Sequence, residues 1–185
     1  MTALLMPDDF RQPPSRPLDL AALRAGAPEA LDACYRLHAQ ELLSLAYRLT
    51  ASKSDAEDIV HDLFVGLPEA MSRYEERGKF GAWLARVVVR LVLLRQRAAK
   101  RNAGEAPLEL LAAPELPGSD AWLRQRLIDA LRELSPALRH VFVLRAAHGY
   151  SHAEVAELLE ISVGTSEVRF HRATRELRRL LGEVL

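Results

Sequence analysis

The chain holds one cysteine, Cys34, in 185 residues, which excludes an intramolecular disulfide and sets it apart from small secreted scaffolds. It has no apolar run near the roughly 20 residues that a membrane span needs. Its first ten residues, MTALLMPDDF, lack a basic segment and offer too short an apolar stretch for a signal peptide. A soluble, cytoplasmic protein with no membrane insertion is expected. No glycine-rich phosphate loop, metal-ligand cluster or nucleophile–base pairing is recognisable. Cys34 and His38 sit four apart, but two ligands do not make a zinc site. No catalytic residue, metal or cofactor is therefore expected, and His61 and His171 read as surface or contact histidines. The formal net charge is zero, which argues against a nonspecific coat for nucleic acid.

That zero hides two opposed patches. Ser54 to Glu69 carries Asp55, Glu57, Asp58, Asp62 and Glu69 with no Lys or Arg. Arg73 to Arg101 carries Arg73, Arg77, Lys79, Arg86, Arg90, Arg95, Arg97, Lys100 and Arg101 against Glu75 and Glu76 alone. With 49% hydrophobic residues the chain can bury a core, and its length suits one or two small domains.

The pattern is helical throughout, so an all-α fold of two helical domains is expected. Residues 1–28 form a proline-rich, flexible leader with at most a short helix around Leu18 to Arg24. Glu29 to Thr50 places Leu31, Tyr35, Leu42, Leu45, Ala46 and Leu49 on one stripe. Ser54 caps the next helix with Glu57 at the capping-box position. That helix sets its acidic face against Ile59, Val60, Leu63 and Phe64, and Pro68 begins a further short turn to Met71. After the polar loop 75–79, Phe80 to Lys100 is a long helix with Trp83, Leu84, Val87, Val88, Leu91 and Leu94 inward. Residues 29–101 make the first domain. Residues 102–120 change composition, with Pro107, Pro114, Pro117, Gly104 and Gly118 and only acidic charge, and read as an extended acidic linker. Residues 121–185 make the second domain. It holds a helix from Trp122 to Leu134 and another, opened by Ser135-Pro136, that buries Leu138, Val141, Phe142 and Leu144.

Tyr150 to Leu181 is the most informative stretch. Gly149 suits a helix C-terminus, and Ser151 with Glu154 forms an S-x-x-E capping box. Val155, Ala156, Leu158 and Leu159 make an apolar stripe. Ser162 caps a second helix in which Val168, Leu177, Leu180 and Leu181 face in and Arg169, Arg172, Arg175, Arg178 and Arg179 face out. Two helices joined by a tight turn, the second basic with a polar tip, fit a helix-turn-helix whose second helix enters a DNA major groove. An amphipathic hairpin with a solvated basic face has the same periodicity.

Four segments, in this order, resemble the extracytoplasmic-function (ECF) sigma factors, two-domain initiation factors of bacterial RNA polymerase. They are DAEDIVHDLF (Asp55 to Phe64), FGAWLARV (Phe80 to Val87), LSPALRHVFVLR (Leu134 to Arg145) and VGTSEVRFHRA (Val163 to Ala173). The resemblance spans roughly residue 29 to the end. It implies that Asp55, Glu57, Asp58, Ile59, Asp62, Leu63 and Phe64 dock on the polymerase core, although a solvated acidic face would look alike. It implies that Tyr74, Lys79, Phe80, Trp83, Arg86, Arg90, Arg95 and Arg97 engage the −10 element, with the loop from Tyr74 to Phe80 holding a flipped base. Basic residues there neutralise phosphates and aromatics stack on bases, while Trp83 suits the core equally. Thr165, Ser166, Glu167 and Arg169 would meet base edges of the −35 element, and His171, Arg172 and Arg175 its phosphates. Promoter DNA, the polymerase core and an anti-sigma factor are the implied partners.

Four positions depart from that family's habit. Arg90 and Leu94 stand where asparagine and aspartate are common, Glu160 where a turn glycine is common, and Glu167 where a basic residue is frequent. A stand-alone helix-turn-helix regulator with a helical dimerisation domain is the competing reading.

Overall fold

The structure, a computed structural model, describes residues 18–76, 78–102 and 121–182. The leader as far as residue 17, Arg77 and the expected linker over 103–120 lie outside these. The described residues form eight α-helices and no strand. The first domain holds α1 (Leu20–Arg24), α2 (Pro28–Thr50), α3 (Lys53–Met71) and α4 (Phe80–Asn102). The second holds α5 (Ala121–Glu133), α6 (Pro136–Phe142) continued by a π-helical turn (Val143–Ala147), α7 (His152–Leu159) and α8 (Val163–Leu181).

Local chemistry sets most boundaries. Pro28 stands in the first turn of α2, where its missing N–H costs nothing. Ala51 ends α2 in the left-handed region (φ 59°). The cap of α3 is Ser52, whose hydroxyl accepts from the Asp55 amide at 3.2 Å, and not Ser54. The helix therefore starts two residues earlier than its capping-box pattern suggested. It also runs unbroken through Pro68 to Met71 rather than restarting there. The capping box of Ser151 and Glu154 forms in full, and Ser162 caps α8 by accepting from the Thr165 amide at 3.1 Å.

Three stripes turn differently from their expected phase. In α2, Ala30 and Cys34 are buried while Tyr35 remains half exposed. In α4, Leu84, Val88, Val89 and Val92 are buried and Leu94 is 58% exposed. In α8, Ser166, Ala173, Leu177 and Leu181 are buried and Val168 is 51% exposed. A one-residue error of phase rotates a helix face by 100°, and the valine run of α4 leaves that phase open to sequence alone.

The buried residues form one continuous cluster across both domains. In the first, Leu45, Leu49, Ile59, Leu67, Met71, Leu84 and Val88 are essentially inaccessible. In the second, Leu134, Val141, Leu144, Val155 and Leu177 are. Each such leucine contributes roughly 1.5–3 kcal/mol through burial. Part of the expected leader is built into this core, since Leu23 of α1 is fully buried.

The domains meet where the C-terminal end of α2 faces α6. Arg139 is buried and donates to three carbonyls, Leu49 (3.0 Å), Thr50 (3.3 Å) and Leu131 (3.4 Å). Two of these are last-turn carbonyls of α2, the groups a helix end leaves without partners and where its dipole favours a cation. Arg132 donates to the Tyr47 hydroxyl, and Gln96 of α4 lies 3.1 Å from the His140 ring.

Candidate functional site

The acidic face lies along α3. Glu57, Asp58 and Asp62 are exposed and Asp55 is half-buried. Ile59 and Leu63, expected to meet a partner, are instead 1% and 3% exposed and belong to the core. They hold α3 in place and cannot touch another protein in this state. Phe64 is half-buried and packs on Tyr35 with ring centroids 4.9 Å apart, and Val65 next to it is 69% exposed. Tyr35, expected in the buried stripe of α2, is 49% exposed. An acidic row flanked by exposed apolar surface can steer a partner by charge and then bury area against it.

The acidic row is partly neutralised within the domain. Arg95 of α4 lies 3.1 Å from Asp55 and 2.6 Å from Asp58. Burial acts against the Arg95 charge, but the Asp58 hydrogen bond and the charges of Asp55, Asp58 and Asp62 outweigh it and raise its pKa.

Between α3 and α4 the loop is framed by aromatics. The Tyr74 ring packs at 5.3 Å on Phe80 and 4.9 Å on Trp83, and Phe80 stacks on Trp83 at 5.7 Å. Tyr74 is only 7% exposed, so it supports the loop and is not presented to a base. Phe80 and Trp83 are half-buried, with Lys79 exposed between them and the loop tip. Phe80 also meets His38 edge-on at 5.7 Å, and burial holds the His38 pKa below its ordinary value.

Two exposed arginines of α4 face the second domain. Arg97 pairs with Glu160 at 2.8 Å, and Arg86 lies 3.9 Å from Glu154. Arg90 and Arg97 line a cleft closed on the other side by Glu157, Leu158 and Glu160, with Leu94 beside them.

In α8 the outer face carries Gly164, Glu167, Val168, His171, Arg172, Arg175, Arg178 and Arg179, all exposed. The basic residues from His171 to Arg179 run at helical spacing down one side. Thr165 is half-buried and its hydroxyl bonds to Ser162 at 2.8 Å. Ser166 is fully buried and bonds to His152 Nδ1 at 2.9 Å. It locks α8 onto α7 and cannot reach a base edge. Arg169 is half-buried. Val163 and Val168, the latter expected to face inward, are both exposed towards the N-terminal end of α8. Behind α8, Phe170 stacks on Phe142 (5.9 Å) and meets the His152 ring edge-on (5.7 Å), with the Arg145 guanidinium over it.

Glu160 takes the left-handed conformation at the turn between α7 and α8 (φ 55°, ψ 47°), the conformation for which glycine is the usual choice. Cys34 is fully buried and its thiol is pushed up to about 12, which leaves it inert. Among the described residues no cluster of three or more potential metal ligands occurs, and no helix is long and apolar enough to cross a membrane.

Residues 34–102 match the family model of Sigma-70 region 2, and residues 124–177 that of Sigma-70 region 4. The chain is 32% identical to the RNA polymerase sigma factor CarQ of Myxococcus xanthus over 87% of its own length and 94% of that protein. It is 30% identical to the ECF RNA polymerase sigma factor SigE of Mycolicibacterium smegmatis over 95% of its length and 72% of that protein. Its fold follows that of the sigma factor RpoE of Bartonella quintana, solved in complex with the anti-sigma factor NepR, with a TM-score of 0.65 and 21% identity over 85% of this chain and 99% of that one. Two matched regions in the right order, and a relative matched almost end to end, place this chain in the ECF sigma factors of the sigma-70 family.

Proposed function

We propose that the chain binds core RNA polymerase through the exposed part of α3, places α8 on the −35 element, and presents the 74–80 loop with the basic face of α4 to the −10 element. The observation that carries this reading is the pairing in one chain of a free basic helix-turn-helix face on α8 with an exposed acidic row on α3. Core docking falls to Asp55, Glu57, Asp58, Asp62 and Phe64, with Tyr35 and Val65 added. Base reading falls to Glu167, Val168 and Arg169, where Glu167 can accept from a cytosine amino group for roughly 1–3 kcal/mol of discrimination. The protein performs no chemistry itself and works in the cytoplasm, and an anti-sigma factor covering these faces is its implied regulator.

The −35 and −10 elements lie about 25 base pairs apart by their labels, between two and three helical turns or roughly 85 Å. The longest described helices, α2 and α4 with 23 residues each, are about 35 Å long. Promoter engagement is proposed to separate α6 and α7 from α2 and α4. That step also releases Arg86 and Arg97 for phosphates.

The test is run-off transcription with core polymerase and promoter DNA. A promoter-dependent transcript is expected. Failure of the protein to associate stably with core sinks the reading, and core-independent binding to a palindromic site would establish the stand-alone regulator, which the region 2 match does not favour.

A further inference from the structure

The short helix α1 lies ahead of the segment matched to region 2, yet its geometry points at the loop. It is fixed at both ends. Asp19 accepts from the Ala22 amide at 2.9 Å, and the chain turns beside Pro68 at Gly26, whose φ of 73° is a left-handed conformation. Leu23 anchors the inner face in the core. What emerges on the remaining side is Arg24. Its Nε donates to the Met71 carbonyl and its Nη2 to the Tyr74 carbonyl, each at 3.1 Å.

These two carbonyls bracket the exit from α3. Met71 is the last residue of that helix; its carbonyl also accepts from the Tyr74 amide at 3.2 Å and lies at the helix end, where the dipole favours a cation. Tyr74 is the first residue of the loop, and its ring is the base on which Phe80 and Trp83 rest. A guanidinium is a planar fork that fixes the spacing of the two oxygens it holds, which an ammonium cannot do. We propose that Arg24 is a positioning residue for strand opening: it fixes the Met71–Tyr74 turn and so sets where Glu75, Glu76 and the Phe80–Trp83 stack stand against an unpaired −10 base. The inference rests on the reading of that loop given above and extends it to a residue outside the matched region.

The experiment has two arms on the full chain. In the first, core polymerase is reconstituted with Arg24→Gln protein on a promoter carrying 2-aminopurine in the −10 element. Open-complex fluorescence is expected to fall about tenfold, the order of losing one charge-assisted hydrogen bond at the site. Core affinity and binding to duplex −35 DNA should stay within about twofold by the same scale. Arg24→Lys, which keeps the charge and loses the fork, should fall between wild type and Arg24→Gln. In the second arm Trp122, 62% exposed, is changed to Phe so that Trp83 is the sole tryptophan. Acrylamide quenching of Trp83 should then rise in Arg24→Gln. Unchanged opening with unchanged quenching overturns the proposal, as does a parallel loss of core binding, −35 binding and melting temperature, which would mark Arg24 as scaffold only. If wild-type protein opens no promoter, the reading of the loop fails instead, and the quenching arm still decides whether Arg24 holds it.

Discussion

Arg86, Arg95 and Arg97 in α4 each face a carboxylate from another element, Glu154, Asp55 with Asp58, and Glu160 respectively. In α8, Arg172, Arg175, Arg178 and Arg179 make no ion pair among the described residues. Both helices carry a similar run of arginines in sequence. A free arginine that meets a phosphate gains the full counterion-release term, whereas a paired one exchanges one anion for another. On the proposed reading, α8 meets DNA with these arginines unpaired, whereas Arg86 and Arg97 of α4 first give up Glu154 and Glu160.

The largest way to break this contrast is to remove what packs the domains together. Arg139→Ala leaves the carbonyls of Leu49 and Thr50 without their buried donor and should lower stability by about 3 kcal/mol, the range for stranding buried hydrogen-bonding groups. Chemical denaturation measures the loss. Small-angle scattering should show an expanded chain if the domains come apart, and an unchanged radius would mean the apolar contacts alone hold them.

Acid should loosen the same junction without a mutation. The His148 side chain is half-buried with its Nε2 sealed from solvent and without a hydrogen-bond partner, and burial with the nearby Arg48 charge lowers its pKa from 6.5 to about 4. The folded state thus prefers neutral imidazole. Below the unfolded value of 6.5 the unfolded chain binds the extra proton, so this contribution is intact above 6.5 and is lost as pH falls toward 4. At pH 5 the loss is about 2 kcal/mol, from roughly 1.4 kcal/mol per unit. Melting temperature followed from pH 7.5 to 5 should fall, and His148→Asn should flatten that dependence. An identical slope in the variant assigns it to other groups.

A finer comparison sets Arg175→Ala against Arg97→Ala on promoter DNA with polymerase present. Loss of Arg175 should reduce the salt-dependence slope by about 0.9, one phosphate contact on duplex DNA. Loss of Arg97 should reduce it by less, because Glu160 competes for that guanidinium. Equal slopes would erase the distinction drawn between the two helices.

Helix order and the helix-turn-helix were legible because caps and spacing are local. Ser151 with Glu154, Ser162 and the proline of α6 act within one turn of themselves. The acidic and basic runs were equally plain. What the chain alone hid was depth and partner. Ile59 and Leu63 share a helix with the acidic row but point the other way, and Ser166 sits among polar tip residues yet is sealed by His152. Tyr74 looks like a stacking aromatic and is a buried support. Arg139 and His140 lie in an amphipathic helix like any surface pair; their burial depends on α2 and α4, from α2's end some 90 positions earlier. No local pattern encodes a contact across that separation.

The smallest expected effect concerns Glu160, which joins the two halves of the comparison. Its left-handed backbone (φ 55°) strains any residue with a Cβ, while its carboxylate holds Arg97 at 2.8 Å. Both groups of that pair are mostly exposed, so the pair contributes between nothing and about 1 kcal/mol. Glu160→Gly removes the strain and the ion pair together. In an Arg97→Ala background only the strain is left to relieve, and stability should rise by about 0.5–1 kcal/mol. In the wild-type background the gain should be smaller by whatever the pair contributes. The double-mutant cycle isolates that coupling. A coupling of zero means that Arg97 is free in solution despite its geometry, and α4 would then resemble α8 at this position.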